Sequence, residues 1–386
     1  MKGGAILLSA GLCYAVLVLW VEQRWAWGLF QVSVWALAGW CTVRLQHPRP
    51  SFLLAPLAAA AIWPLLQLAF GVSISPGPTC EQALDWFTFV AVFVVSGELF
   101  RDRRGLRIFL SAACLFGMLI GAAGTFQKYS SGGKIFWLFP SGFDSDVIGP
   151  FVNRNQFAAW IELLLPPALY LAARERRVRP LYACAAACMF GAVVASASRA
   201  GFVLACGEIL AVGVALALRQ SAPRKALAFR TIQVAVLGLI AASIAGWHGL
   251  ETRLETTGLE ALRVDAAKAS FQMIKSRPWT GSGLGTWSIV YPRYAGFDAG
   301  LTVNQAHDDW LQWAAEGGLP FVLLLAIFAL LLSKRAIPSI YGIGTVAFLL
   351  HASLDYPMQQ RPALAAWFFA MAGATAARSG GLARGR

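Results

Sequence analysis

Long apolar runs alternate with short polar connectors from one end of the chain to the other. Twelve such runs fall at 4–21, 26–43, 52–71, 84–100, 106–126, 156–173, 180–197, 201–218, 231–249, 319–333, 338–354 and 363–378. A run of about 20 apolar residues is long enough, as a helix, to cross a ~30 Å hydrocarbon core. Residues 180–218 read as two helices rather than one, because a single helix of that length would run ~58 Å at about 1.5 Å per residue. A tight turn at "ASRAG" separates them. The pattern predicts an all-α polytopic membrane protein of about twelve transmembrane helices.

One connector breaks the rhythm. Residues 250–318 form a loop long enough for a small subdomain outside the membrane. In its first part Leu254, Leu259, Leu262, Ala266, Ala269 and Met273 recur at roughly helical spacing, as on an amphipathic helix. The domain division is therefore 1–249 for spans one to nine, 250–318 for the loop, and 319–386 for the last three spans and a tail. The opening run follows Lys2 without a small-x-small cleavage site and is read as the first span rather than a signal peptide.

Composition sharpens this reading. Hydrophobic residues make up 58% of the 386 positions and charged residues only 13%, too little polar surface for a soluble chain of this size. The net charge of +13 would suggest nucleic acid in a soluble protein. Here the placement of basic residues explains it. "RDRRGLR", "RERRVR", "RQSAPRKALAFR", "SKR" and the tail hold most of the 32 basic residues, all in alternate short connectors. By the positive-inside rule both termini are cytoplasmic and 250–318 lies on the outer side. The seven cysteines sit mostly in apolar runs, only Cys80 being loop-placed, and imply no disulfide framework.

The polar chemistry gathers on that outer side. In "AHDDWLQWAAEGG" His307 is followed by Asp308 and Asp309, with Glu316 further on. Asn304 can cap a helix starting near Gln305, which puts His307 in the first turn, facing the same way as Trp310, Leu311 and Ala314. A helix N-terminus disfavours an imidazolium and leaves His307 ready to accept a proton, while the adjacent carboxylates pull the other way. A surface histidine in a polar loop is the plain alternative. Arg154 in "FVNRNQF", flanked by Asn153 and Asn155, Arg199 in "SASRAG", and Arg263 in the loop are held on the side where the charge rule predicts few cations. Each could simply anchor a helix at the interface. Together they suit an anionic group such as phosphate, which a guanidinium binds bidentately. "GSGLGTW" follows no strand and reads as a tight turn, not a nucleotide loop. His307 with Asp308 and Asp309 lacks a second histidine for a metal. His351 and Asp355, four apart, read as a structural pair closing the last spans.

"GPFVNRNQFAAWIELLLP", "SASRAG", "RVDAAKASFQMIKSRPWTGSGLGTW", "AHDDWLQWAAEGGLP" and "HASLDYP", in that order, resemble the O-antigen ligase and polymerase superfamily of bacterial envelope glycosyltransferases. The first 125 residues match only as apolar spans. The resemblance implies a metal-independent, cofactor-free, inverting transfer of glycan from an undecaprenyl-pyrophosphate carrier to an acceptor hydroxyl, at the periplasmic face of the inner membrane. It assigns the essential histidine to His307 and pyrophosphate-binding arginines to Arg199 and Arg263, with Arg154 a third. Asn153, Asn155, Asp308, Asp309 and Glu316 are supporting residues, Asp308 or Asp309 orienting the imidazole and Glu316 supporting the helix end. Position 308 departs from the family, which usually has Asn there.

The expected acceptor is lipid A-core, making the chain an O-antigen ligase, with membrane lipids around it and no nucleic acid. A polymerase extending the glycan, and an enzyme transferring glycan to protein hydroxyls, remain open within the family. A transporter of lipid-linked oligosaccharide is a more distant alternative. It would place charges near the midplane, whereas Glu98, Glu162 and Glu208 read as lying near span ends.

Overall fold

In the computed structural model the described residues are 1–44, 51–142, 147–219, 257–297, 300, 302–359 and 362–378. The helices in chain order are α1 (Lys2–Leu17), α2 (Arg24–Arg44), α3 (Leu54–Ala69), α4 (Pro76–Leu99), α5 (Arg103–Ser130), α6 (Arg154–Arg174), α7 (Arg179–Ser196) and α8 (Arg199–Arg219). There follow α9 (Thr257–Ser276), the short α10 (Trp287–Val290), α11 (Asp309–Ser339), α12 (Ile343–His351) and α13 (Pro362–Arg378). A two-stranded hairpin, β1 (Lys134–Ile135) with β2 (Phe139–Pro140), is the one small sheet among the described residues. Seven of the described helices are long and apolar enough to cross a membrane, and α1, α3 and α13 are shorter apolar helices. The chain is a multi-pass membrane protein. The expected span at 231–249, and Leu254 of the expected loop helix, lie outside the described residues.

Local sequence sets the breaks. Asp102 caps α5 by accepting from the amides of Arg104 and Gly105. α7 ends where Ala197 turns into the left-handed region at φ 56°, and α8 starts two residues later, so 180–218 forms two helices as the spacing predicts. α11 is broken at Gly318 (φ 75°, ψ 174°), which divides a polar first part from the apolar run that begins at Leu319. The eleventh expected span, 338–354, departs from expectation. Its helix covers only nine residues, too few for a full crossing by itself, although helical turns carry the chain on to Asp355. Ile340 at φ 54° separates it from α11.

α13 is the centre of the bundle. Trp367, Phe368 and Phe369 are buried, and the helix packs mainly along α4. A Cβ on Gly373 would collide with Ser96 Oγ, so glycine there allows the close approach. Trp86, Phe89, Phe328 and Phe369 interlock around it in edge-to-face, stacked and tilted contacts. By contrast Leu29, Val32 and Trp35 of α2 point outward, an apolar exterior suited to lipid.

The two ends of the bundle differ in chemistry. One carries the described arginine-rich connectors, where Arg107 pairs with Glu175 and Arg335 donates to the carbonyl of Ala376. The other carries the starts of α2, α4, α6, α8, α11 and α13 and the described part of the long loop. A separate small cluster of Ala266, Ala269, Met273, Trp287, Val290 and Tyr291 holds α9 and α10 together at that end.

Candidate active site

The site is built where the loop after α12 meets the start of α11. Asp309 donates its amide to the carbonyls of Ala352 (2.9 Å) and Asp355 (3.2 Å), and its Oδ2 accepts from Met358 N at 3.0 Å. These bonds pin residues 352–358 beside His307. The imidazole Nδ1 lies 3.4 Å from Asp355 Oδ1, and the ring meets Tyr356 edge to face with centroids 4.7 Å apart. Asp355 is 2% exposed, whereas the His307 side chain is 31% exposed. His307 adopts φ 59°, an uncommon backbone state for a residue with a side chain. Strain of that kind persists where the surroundings fix it, often at sites of chemistry.

This corrects the expected local structure. The helix starts at Asp309, not near Gln305, and its cap is Asp308, whose carboxylate accepts from Leu311 N at 2.9 Å, not Asn304. His307 therefore lies before the helix and shares no helical face with Trp310, Leu311 and Ala314. Asp308 and Asp309 are engaged with backbone amides, and the carboxylate beside the imidazole is Asp355. Burial raises the Asp308 carboxyl above its usual range, against the pull of the Leu311 and Trp310 amides. The expected pair of His351 with Asp355 is also replaced: His351 Nδ1 lies 2.7 Å from Glu162 Oε1.

A second set of contacts joins this corner to α6 and α8. Asn153 caps α6 by accepting from the amides of Asn155 and Gln156, and its Nδ2 donates to Tyr356 Oη at 3.2 Å. Ser198 caps α8 by accepting from Gly201 N, and its hydroxyl donates to Asn155 Oδ1 at 2.9 Å. Arg154 and Arg199 are the first residues of these two neighbouring helices. Gly201 makes the approach possible, because a Cβ there would collide with Ala158. Two helix N-termini and two guanidinium groups thus stand at one end of the bundle, an arrangement favourable to an anion. Lys128 donates to the Ala195 carbonyl at 2.7 Å, close in sequence to the turn that precedes α8.

Arg263 stands apart. It is exposed on α9 and makes no hydrogen bond or ion pair among the described residues. Its near neighbour Asp265 accepts from Tyr291 Oη (2.7 Å) and Gly296 N (2.9 Å). Glu316 is buried and holds the glycine-rich turn, accepting from Gly285 N at 3.0 Å and Trp287 N at 2.8 Å. Gly281, Gly283 and Gly285 all have positive φ, consistent with the tight-turn reading of "GSGLGTW". Glu162 and Glu208 are corrected as well. They lie midway along α6 and α8, fully buried, not near span ends.

Sequence reasoning missed Asp355, Tyr356 and the Glu162–His351 pair as site features. The signal was the carboxylate and aromatic side by side in "LDYP". No curated protein matches the chain. Residues 184–326, which include Arg199, Arg263 and His307 but neither Arg154 nor Asp355, match the family model described as O-antigen ligase, and that match supports placing the chain in the O-antigen ligase and polymerase superfamily.

Proposed function

We propose that this chain is an inverting glycosyltransferase that moves a glycan from a polyprenyl-pyrophosphate carrier to an acceptor hydroxyl at the outer face of the bacterial inner membrane, acting as a ligase onto lipid A-core. The observation that carries the reading is the contact of His307 with Asp355, on a corner tied through Tyr356 and Asn153 to the start of α6. The arginine-rich connectors at the opposite end support the sidedness, since such runs stay in the cytoplasm.

In this mechanism Asp355 Oδ1 accepts a hydrogen bond from Nδ1–H of His307, which fixes the tautomer and leaves the lone pair of Nε2 to act as the base. Nε2 takes the proton of the acceptor hydroxyl as its oxygen attacks the anomeric carbon opposite the pyrophosphate. The bond from that carbon to the phosphate oxygen breaks, the anomeric configuration inverts, and polyprenyl pyrophosphate departs with the electron pair. A general base of this kind supplies about 10²–10⁴-fold. Arg199 and Arg154, at helix starts that already favour negative charge, stabilise the leaving diphosphate, and Arg263 is assigned to the same anion by the resemblance. With guanidinium groups in that role the reaction needs no divalent metal. The contact at 3.4 Å is looser than a formed hydrogen bond of about 2.7–3.2 Å, and closing it on substrate is part of the reading.

The test is transfer by purified protein with a lipid-linked donor and a glycolipid acceptor. His307→Ala should slow transfer about 10²–10⁴-fold while donor binding survives, and Arg199→Lys should slow turnover because a point charge replaces the planar fork. Normal transfer by the His307 variant would remove the base from the mechanism. Deleting the gene and finding which surface glycan fails to reach its anchor separates ligase from polymerase and from transfer to protein.

The buried Glu162, Glu208 and His351 favour one second reading, a transporter of lipid-linked sugars, since ionisable groups within spans commonly mark transport paths. Transport in vesicles without transfer in detergent would favour it.

A further inference from the structure

A furrow of about 850 Å³ runs between α1 and α2, lined by Gly4, Leu7 and Gly11 on one side and by Phe30, Ser33 and Trp40 on the other. Its lining is almost wholly apolar, and glycines along α1 supply its depth. At the end of the bundle that holds His307, a second cavity of about 220 Å³ opens among Glu22, Arg24, Trp27, Glu81, Asp85 and Gln359. One stacked pair stands between them, Phe30 lining the furrow and Trp27 lining the pocket, with ring centroids 4.8 Å apart.

The pocket is built rather than incidental. Asp85 is 7% exposed, and its Oδ1 accepts from Trp27 Nε1 at 2.7 Å and Gln31 Nε2 at 3.1 Å, which fixes the half-exposed indole. Gln359 Nε2 is buried with no hydrogen-bond partner among the described residues. An orphaned amide donor is costly, and a ligand acceptor atom is one way to satisfy it. Gln359 follows Met358, whose amide is held by Asp309, and lies on the same loop as Asp355. Gln82 in the pocket wall abuts Gly285 of the glycine-rich turn. Head pocket and proposed base are thus carried by one rigid corner.

Charge chooses the occupant. Arg24 is paired with Glu81, so Glu22 and Asp85 leave the described lining net negative. A pyrophosphate would be repelled there, whereas a hydroxyl-rich head offers donors to the carboxylates, acceptors to Gln359 and an apolar ring face to Trp27. The pocket is smaller than the roughly 300–1,000 Å³ typical of drug-sized ligands, which suits a single sugar. We propose that the α1–α2 furrow and the Trp27–Asp85–Gln359 pocket together bind the acceptor as a sugar-headed lipid, its chain in the furrow and its head beside the His307 corner. The assignment as acceptor rests on the transferase reading above.

The test is photo-crosslinking of the full chain in phosphatidylcholine nanodiscs. The probe is an alkyl glycoside carrying a diazirine in its chain, set against a diazirine fatty alcohol and a diazirine polyprenyl diphosphate. The glycoside should label α1 and α2 peptides and be displaced by unlabelled glycoside. Its apparent affinity should fall about tenfold in Trp27→Ala and in Gln359→Leu, the loss of one good contact. Ser33→Phe, which fills the furrow without touching the head pocket, should reduce the labelling too. Equal labelling by the fatty alcohol with no effect of Trp27→Ala would mean ordinary lipid lines the helices and would overturn the proposal. Labelling by the diphosphate in place of the glycoside would overturn it as well. If transfer depends on His307 but the glycoside does not label, this site alone fails. If labelling holds while His307→Ala still transfers, the mechanism fails and the lipid site stands.

Discussion

The carboxylate of Glu162 and the imidazole of His351 meet at 2.7 Å inside the bundle, with neither side chain exposed to solvent. His351 ends α12, and its carbonyl accepts from the amides of Leu354 and Asp355. The loop bearing the proposed partner of His307 therefore hangs directly from this buried pair. Removing one member of such a pair strands the other, at a cost of about 3–5 kcal/mol, whereas replacing both with apolar residues is often close to neutral. Glu162→Leu should lower the thermal unfolding midpoint markedly, and Glu162→Leu combined with His351→Leu should recover much of the loss. A double variant as unstable as the sum of the singles would show that the two do not act as a pair.

Asp355→Asn tests the orientation of the base. It removes the carboxylate beside Nδ1 while keeping the volume, and turnover should fall about 10²–10⁴-fold with donor affinity little changed. Because the two residues act as a unit, Asp355→Asn combined with His307→Ala should be no slower than His307→Ala alone. Single-turnover rates measure this. A fully additive double variant would separate the two residues.

Glu316 is predicted to matter for stability before chemistry. Its two oxygens accept from the part-buried Gly285 amide, the buried Trp287 amide and Gln312 Nε2, so Glu316→Ala strands these donors at about 1–3 kcal/mol for each buried one. Glu316→Gln, which keeps one acceptor, should lose less. Thermal unfolding in detergent orders the three proteins, and an alanine variant as stable as the parent contradicts the assignment.

Gly201→Ala probes the seam that puts Arg199 beside Arg154. The added methyl would collide with Ala158, and relieving the overlap should cost about 1–3 kcal/mol and push α8 from α6. Donor affinity should weaken with stability. Restoring both with Ala158→Gly in the same chain would identify the collision as the cause.

Much of the architecture was legible in the sequence because burial in lipid imposes a strong one-dimensional signature. A helix satisfies its own backbone, so apolar run length alone marks a span, and arginine placement supports an expected sidedness. Helices occupy most of the expected spans among the described residues, including the break at Ala197. The glycine-rich turn and the gathering of polar residues at one end were equally plain. The start of α11 was not. Asn304 and Asp308 are both good caps, and the choice between them was made by the bonds from Asp309 to Ala352, Asp355 and Met358.

The sequence by itself determined that this chain is a helical membrane bundle with polar residues gathered at one end, because hydrophobicity and charge act locally and are read run by run. Only the tertiary structure decided which charges meet. His307 and Asp355 are 48 positions apart and Glu162 and His351 are 189 apart, so no local spacing couples them. The physical reason is that a buried polar group must find a partner wherever packing brings one. In a helical bundle that partner comes from another helix, at a register which the backbone pattern does not encode.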